Sequence, residues 1–157
     1  MKHRSAVLCQ TALVDDTTKN ISLINVIDRM TLDEKTERPV SSEQMPGKMI
    51  MVPFTASLVV YTIRTNPDQP ETGKGLILIQ GPQGQEIDRI DLHVDLTTHN
   101  RSRSIVQFSA FPFVGEGMYQ LAVQYQGTDT EKWDEVDSVP LEVYVRERST
   151  AEASASD

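Results

Sequence analysis

Hydrophobic and polar residues alternate with a period of two along most of the chain. In MYQLAVQYQG (118–127), Tyr119, Leu121 and Val123 share one face, and glutamines occupy most of the other. Successive side chains of a β-strand point to opposite faces of its sheet, so this pattern predicts a strand with one buried and one solvated face. The same alternation recurs in EIDRIDLHVDL (86–96) and VPLEVYVRE (139–147).

Eight segments in all read as strands. They are rich in Val, Ile, Thr, Tyr and Phe, which suit a pleated, half-buried surface, and Gly, Pro, Asn and Asp separate them. Short strands at this spacing predict an all-β fold, a single antiparallel β-sandwich of about eight strands, immunoglobulin-like or Greek-key. The predicted strands cover 5–14, 21–32, 53–64, 74–81, 86–96, 104–111, 118–127 and 139–147.

The chain of 157 residues has the length of one domain. We predict a β-sandwich domain over 1–148 and a disordered tail over 149–157, STAEASASD, because that tail is small, polar and without periodicity. The polar stretch 33–47, which two prolines interrupt, is predicted to be a long surface loop.

Net charge and cysteine content indicate the cellular compartment and the classes of partner that the protein can bind. The formal charge of −8 disfavours binding to nucleic acid through a basic face. No segment approaches the ~20 apolar residues of a membrane span, so no membrane association is predicted. The only cysteine, Cys9, lies in a predicted strand as a buried thiol, which is typical of a reducing compartment. These features predict a cytoplasmic protein.

Two adjacent acids, Asp15 and Asp16, lie between the first two predicted strands. They serve either a hairpin turn or a divalent cation. Hard cations require about six to eight oxygens, which two neighbouring aspartates do not supply. Asp side chains readily bond nearby backbone N–H groups, so we predict a turn.

A second candidate cation site lies on the polar face of 86–96. Asp91, His93 and Asp95 alternate along one strand and project the same way, and His99 follows in the next loop. Imidazole and carboxylate are ligands that zinc accepts, so these four residues are the candidate metal ligands. The alternative is that they are the solvent-facing residues of an amphipathic strand.

Trp133 lies within the acidic run TDTEKWDEVD (128–137). Aromatic side chains act as anchors at protein interfaces, which makes Trp133 the candidate partner-binding residue. The alternative is structural, because tryptophan is highly buried on average and often covers the end of a core.

Catalytic signatures are absent from the sequence. It contains no GxSxG, HExxH, P-loop or GxGxxG motif, and we predict no catalytic residue and no cofactor. The basic cluster HNRSR (99–103) carries Arg101 and Arg103, which we expect to pair with Asp or Glu within the protein.

Both ends of the chain resemble an uncharacterised bacterial family of small all-β proteins. The N-terminal segment that shows the resemblance is AVLCQTALVDDTTKNISLINVIDRMTL. The C-terminal segment is GEGMYQLAVQYQG followed by VPLEVYV. The resemblance implies a β-sandwich in a cytosolic bacterial protein and carries no known activity, cofactor or catalytic residue. Separately, the placement of Gly117 and Tyr119 is similar to a tyrosine corner, in which a tyrosine bonds upstream backbone.

These observations predict a protein of unknown function that is a non-catalytic protein-interaction module, with loops or a sheet edge contacting another protein. The alternatives are a small-ligand or metal-binding protein, or metal-dependent enzyme, that uses the Asp91/His93/Asp95 face, and a homo-oligomeric structural subunit.

Overall fold

Nine strands make up the secondary structure in the computed structural model, which describes residues 1–33, 49–126 and 131–146. The described residues contain no helix that is long and apolar enough to cross a membrane. The strands are β1 (Lys2–Val14), β2 (Ile21–Val26), β3 (Arg29–Asp33), β4 (Ile50–Ile63), β5 (Glu71–Gln80), β6 (Glu86–Leu96), β7 (Arg101–Phe113), β8 (Gly117–Gln126) and β9 (Trp133–Arg146).

The strands form two sheets. The four-stranded sheet has the order β2-β1-β4-β7, and the five-stranded sheet has the order β3-β9-β8-β5-β6. Every pairing is antiparallel except that of β3 with β9, which is parallel. The all-β prediction is therefore confirmed, and its purely antiparallel form is corrected at one edge of the five-stranded sheet.

The count of about eight strands is corrected to nine because the predicted strand 21–32 divides. The N–H of Ile27 donates to the carbonyl of Leu8 in the first sheet, and the N–H of Glu142 donates to the carbonyl of Asp28 in the second, each at 2.9 Å. The chain thus crosses between sheets within two residues, and its second half runs parallel to β9.

The inner faces of the two sheets meet in one hydrophobic cluster. The alternation predicted for β8 is confirmed, because Tyr119, Leu121 and Val123 are all buried in that cluster. Phe111 of the four-stranded sheet packs edge-on against Tyr119 of the five-stranded sheet, with ring centroids 5.2 Å apart. Alternating apolar residues therefore build the core, as the period of two requires.

The predicted tyrosine corner is present. The Tyr119 hydroxyl donates to the carbonyl of Gly115 at 2.7 Å and accepts the N–H of Val114 at 3.0 Å. Both partners precede β8 on the link from β7, so the bond fixes the crossing between the two sheets.

Two predictions fall largely outside the described residues. The loop predicted over 33–47 lies outside them except for Asp33, which ends β3. The tail predicted over 149–157 lies outside them entirely.

Candidate functional site

Three of the four predicted metal ligands lie on the outer face of β6, at an edge of the five-stranded sheet, and His99 lies exposed in the loop that follows. Asp91, His93 and Asp95 are exposed, whereas the alternating Leu92 and Val94 are buried in the core. The predicted division of β6 into a wet and a dry face is therefore confirmed.

Asp95 is already engaged by its own chain. Its Oδ1 accepts the N–H of Thr97 at 2.8 Å and the hydroxyl of Thr97 at 2.6 Å. These bonds hold the pKa of Asp95 below its ordinary value, and the nearby imidazoles of His93 and His99 lower it further. Asp95 thus caps the end of β6.

No three His, Cys, Asp or Glu side chains of residues 1–33, 49–126 and 131–146 are grouped so that they could hold one metal ion. Metal binding by Asp91, His93, Asp95 and His99 stays a prediction.

Asp15 forms the hairpin turn that the sequence predicts. Its Oδ1 accepts the N–H of Thr17 at 3.0 Å and both the N–H and the hydroxyl of Thr18. Hydrogen bonds from Thr18 lower the pKa of Asp15. Asp16 lies exposed in the same turn, and Lys19 closes it with φ of 57°.

Trp133 is the first residue of β9. Its side chain is half-buried and packs on a small cluster of Leu76, Leu78 and Ala122. These three residues lie on the outer face of the five-stranded sheet, opposite the core. Trp133 therefore covers an apolar patch of that face, and whether it also anchors a partner stays a prediction.

Among residues 1–33, 49–126 and 131–146, Arg103 contacts a backbone carbonyl and no carboxylate, and the contact defines the path of the β1–β2 hairpin. It donates to the carbonyl oxygen of Lys19, in the hairpin turn. Arg103 lies opposite Tyr61, which lies opposite Ser5. At ~3.3 Å per residue, a straight hairpin would place Lys19 more than about 30 Å from that level. The hairpin beyond Cys9 therefore folds back over the outer face of the four-stranded sheet.

Burial on that outer face agrees with this path. Val59 and Cys9 are fully buried, although neither belongs to the core between the sheets. The Cys9 thiol lies 3.5 Å from the carbonyl oxygen of Ser57, and burial raises its pKa. Cys9 is thus a buried, unactivated thiol, as predicted.

The folded-back hairpin exposes apolar side chains. Of the large hydrophobic residues that are exposed in the described residues, half lie on this one hairpin. They are Leu13, Val14, Ile24 and Val26. By the register of the hairpin, Leu13, Ile24 and Val26 alternate on one face, and Val14, which directly follows Leu13, lies on the other. We call Leu13, Ile24 and Val26 the hairpin surface. Sequence alternation gave no sign of it, because a period of two does not tell an apolar face that is buried from one that is exposed.

A groove of about 660 Å³ lies where the start of β1 meets β5, β8 and β9. His3 lines this groove, and its Nε2 lies 2.7 Å from Oδ2 of Asp137. The same oxygen accepts the N–H of Ala6 at 2.8 Å, and the His3 ring packs near Tyr125. The hydroxyl of Tyr125 in turn lies 2.5 Å from that of Thr62.

This polar cluster joins the two sheets, because His3 belongs to β1 and Asp137 to β9. Nδ1 of His3 is enclosed and meets no hydrogen-bond partner in the described part of the chain. An enclosed nitrogen cannot take a proton from a ligand, because general bases act within hydrogen-bond reach of their substrate. Sequence reasoning missed His3 and Asp137, since a pair 134 residues apart leaves no local pattern.

Comparison of the sequence with known proteins found no family model and no curated protein that matches it.

Proposed function

We propose that the protein is a non-catalytic protein-interaction module on an immunoglobulin-like β-sandwich, and that it binds its partner through the hairpin surface.

The order of the strands supports the fold assignment. Immunoglobulin-like sandwiches close with a tyrosine corner at the start of their second-to-last strand, and Tyr119 occupies that place in β8. The pairings β9-β8-β5-β6 and β4-β7 are those of the two sheets of such a sandwich. The single cysteine separates the protein from antibody-type domains, which carry a disulfide between the sheets.

The observation that carries the function is the exposure of the hairpin surface. The exposed fractions are 52% for Leu13, 42% for Ile24 and 67% for Val26. Single exposed hydrophobic residues are ordinary on protein surfaces, but a contiguous apolar patch marks an interaction site. A partner that covers these side chains removes them from water and gains the hydrophobic free energy of their burial.

The proposal places the protein in the cytoplasm of a bacterium. A reduced, buried Cys9 supports a reducing compartment. The resemblance to the bacterial family of small all-β proteins supports the source.

Affinity capture from an extract of the source cells tests the binding surface, with three baits. These are the wild type, Ile24→Lys on the hairpin surface, and Met118→Lys as the matched control. Met118 is an exposed hydrophobic residue of β8, so its replacement makes the same change of charge elsewhere.

We expect a protein that the wild type and Met118→Lys retain and Ile24→Lys loses, and that binds the purified wild type directly. Retention of the same proteins by all three baits would exclude the hairpin surface as the binding site.

A further inference from the structure

We infer that residues 10–26 form a strap, which lies closed over an apolar row on the outer face of the four-stranded sheet and opens as one unit. Gln10 and Asn25 form its hinge, and Arg103 holds its tip. An open strap exposes the apolar row and the Cys9 thiol to solvent. The inference goes beyond the proposed function, because opening of the strap needs no partner.

The apolar row consists of Val7, Val59 and Ile105, which lie side by side on β1, β4 and β7. These side chains point away from the core between the sheets, so a bare sheet would leave them in water. Instead, Val59 is fully buried, and Val7 and Ile105 are half-buried. The row is therefore covered, and the folded-back hairpin lies over this face.

One face of the strap suits this row. Ala12 and Leu23 are directly opposed in the pairing of β1 with β2, and both are half-buried. Their neighbours Leu13 and Ile24 point the other way and belong to the exposed hairpin surface. The strap therefore turns Ala12 and Leu23 towards the sheet and the hairpin surface towards solvent.

The length of the strap also fits. Cys9 lies level with Gln107 of β7, because both pair with Ser57. From Gln107 to Arg103 is four residues along β7, and from residue 10 to residue 14 is four residues along the strap. At ~3.3 Å per residue both stretches span about 13 Å, so the tip of the strap reaches the level of Arg103.

The hinge has a defined geometry. Asn25 has a left-handed φ of 53°, which asparagine tolerates better than most residues and which bends a strand. Its side-chain amide donates to Oε1 of Gln10 at 2.8 Å. Gln10 directly follows Cys9, the last residue of β1 that pairs with β4. The bend therefore falls where the hairpin leaves the sheet.

Few contacts hold the strap closed. None of residues 10–26 is buried. In the described part of the chain, the bond from Arg103 to the carbonyl of Lys19 is the one side-chain hydrogen bond that joins the strap to β4 or β7. Segments with few buried apolar contacts open locally at a low cost in free energy. The strap is therefore expected to open far more often than the whole protein unfolds.

Labelling of Cys9 tests the inference. Cys9 is the only cysteine of the chain, and its fully buried thiol lies beside the hinge on the same outer face. The probe is N-ethylmaleimide, which is uncharged, so a change of protein charge does not attract or repel it. The proteins are the wild type, Arg103→Ala and, as the matched control, Arg101→Ala. Arg101 is an exposed arginine on the same face of β7, two residues from Arg103.

We expect Arg103→Ala to raise the labelling rate about tenfold, because a charge-assisted hydrogen bond at the tip is lost. Arg101→Ala is expected to keep the wild-type rate. Equal rates in all three proteins, or an equal increase in both variants, would overturn the inference.

Urea separates opening of the strap from unfolding of the protein. Opening exposes little surface, so the labelling rate of Arg103→Ala should change little up to about 1 M urea. Labelling through global unfolding would rise steeply over this range, and that result would count against a strap.

The hinge is tested by a second pair of variants. Valine rarely adopts a left-handed φ, whereas glycine adopts it readily. We expect Asn25→Val to be labelled faster than Asn25→Gly. The reverse order, or equal rates, would contradict the hinge.

Hydrogen exchange shows whether the strap moves as one unit. The pairing of β1 with β2 stays intact in a strap that opens at its hinge. Amides of 11–14 and 21–24 are therefore expected to exchange equally in Arg103→Ala and Arg101→Ala. Faster exchange of these amides in Arg103→Ala would show that the hairpin frays instead.

Discussion

Tyr119 shows how one hydroxyl holds a crossing between the sheets. Its ring is fully buried against Phe111, and its hydroxyl both donates to Gly115 and accepts from Val114. Burial raises the pKa of Tyr119, so the hydroxyl stays protonated and can donate. The corner could be predicted from sequence because its partners lie within five residues.

We expect Tyr119→Phe to lower the free energy of unfolding by about 1–2 kcal/mol, because it leaves the N–H of Val114 without its partner. Urea denaturation measures the loss. Tyr61→Phe is the control, since Tyr61 lies half-buried on the outer face of β4. Equal stability of Tyr119→Phe and the wild type would show that the corner contributes nothing.

Asp15 and Asp95 form the same kind of local hydrogen bonds, but only those of Asp15 could be predicted from the sequence. Each carboxylate accepts N–H and hydroxyl hydrogens two or three residues ahead. Asp15 was predicted to serve a turn, because turn residues surround it. For Asp95 the sequence leaves a metal ligand and a solvent-facing residue as alternatives, since alternation shows where a side chain points and not what already occupies its oxygens.

At the scale of elements, β5 depends on a glycine that faces the core. A Cβ on Gly75 would lie 3.0 Å from the Tyr125 ring and 3.1 Å from the Cβ of Leu92. The ring is held by the bond of its hydroxyl to Thr62, and the Leu92 Cβ is fixed to the backbone of β6. Two residues away, a Cβ on Gly73 would meet only the flexible end of the Met1 side chain.

Gly75→Ala and Gly73→Ala therefore form a matched pair. We expect Gly75→Ala to destabilise the protein by about 1–2 kcal/mol. Alanine lowers the conformational entropy of the unfolded chain, which favours folding, but the strain of overpacking in the core is larger. Gly73→Ala is expected to be neutral or slightly stabilising, since the Met1 side chain can move aside. Thermal and urea unfolding measure the stability of both variants. Equal changes in stability would show that the Tyr125 ring moves aside as readily as the Met1 side chain.

The paths of the β1–β2 hairpin and of β3 depend on contacts between residues that are distant in the sequence. The turn at Asp15 and the strands beside it follow from local sequence. The fold-back of the hairpin depends on Arg103 reaching Lys19, 84 residues away in sequence. The division of 21–32 likewise depends on which sheet each half meets.

At the scale of the molecule, Asp137 ties the two sheets together. Burial alone would raise its pKa, but bonds from His3 and from the N–H groups of Ala6 and Ser138 hold it below its ordinary value of 3.8. A carboxylate with a depressed folded-state pKa stabilises the fold above its unfolded pKa. That contribution is lost as pH falls through the folded pKa.

We expect the free energy of unfolding of the wild type to fall below about pH 4 more steeply than that of Asp137→Asn. At neutral pH, Asp137→Asn is expected to cost about 1–2 kcal/mol, because charge-assisted hydrogen bonds are lost. Urea titrations from acid to neutral pH measure both effects. Asp134→Asn, an exposed neighbour on β9, is the control, and parallel pH profiles for all three proteins would contradict the role of Asp137.

The sequence by itself determined the all-β class, most strand positions, the buried face of β6 and β8, the turn at Asp15 and the corner at Tyr119. Each follows from residues a few positions apart, where side-chain period and turn chemistry act directly. Only the tertiary structure decided the parallel pairing of β3 with β9, the His3–Asp137 pair and the hairpin surface. These depend on contacts between residues distant in the chain, and an exposed apolar strand has the same alternation as a buried one.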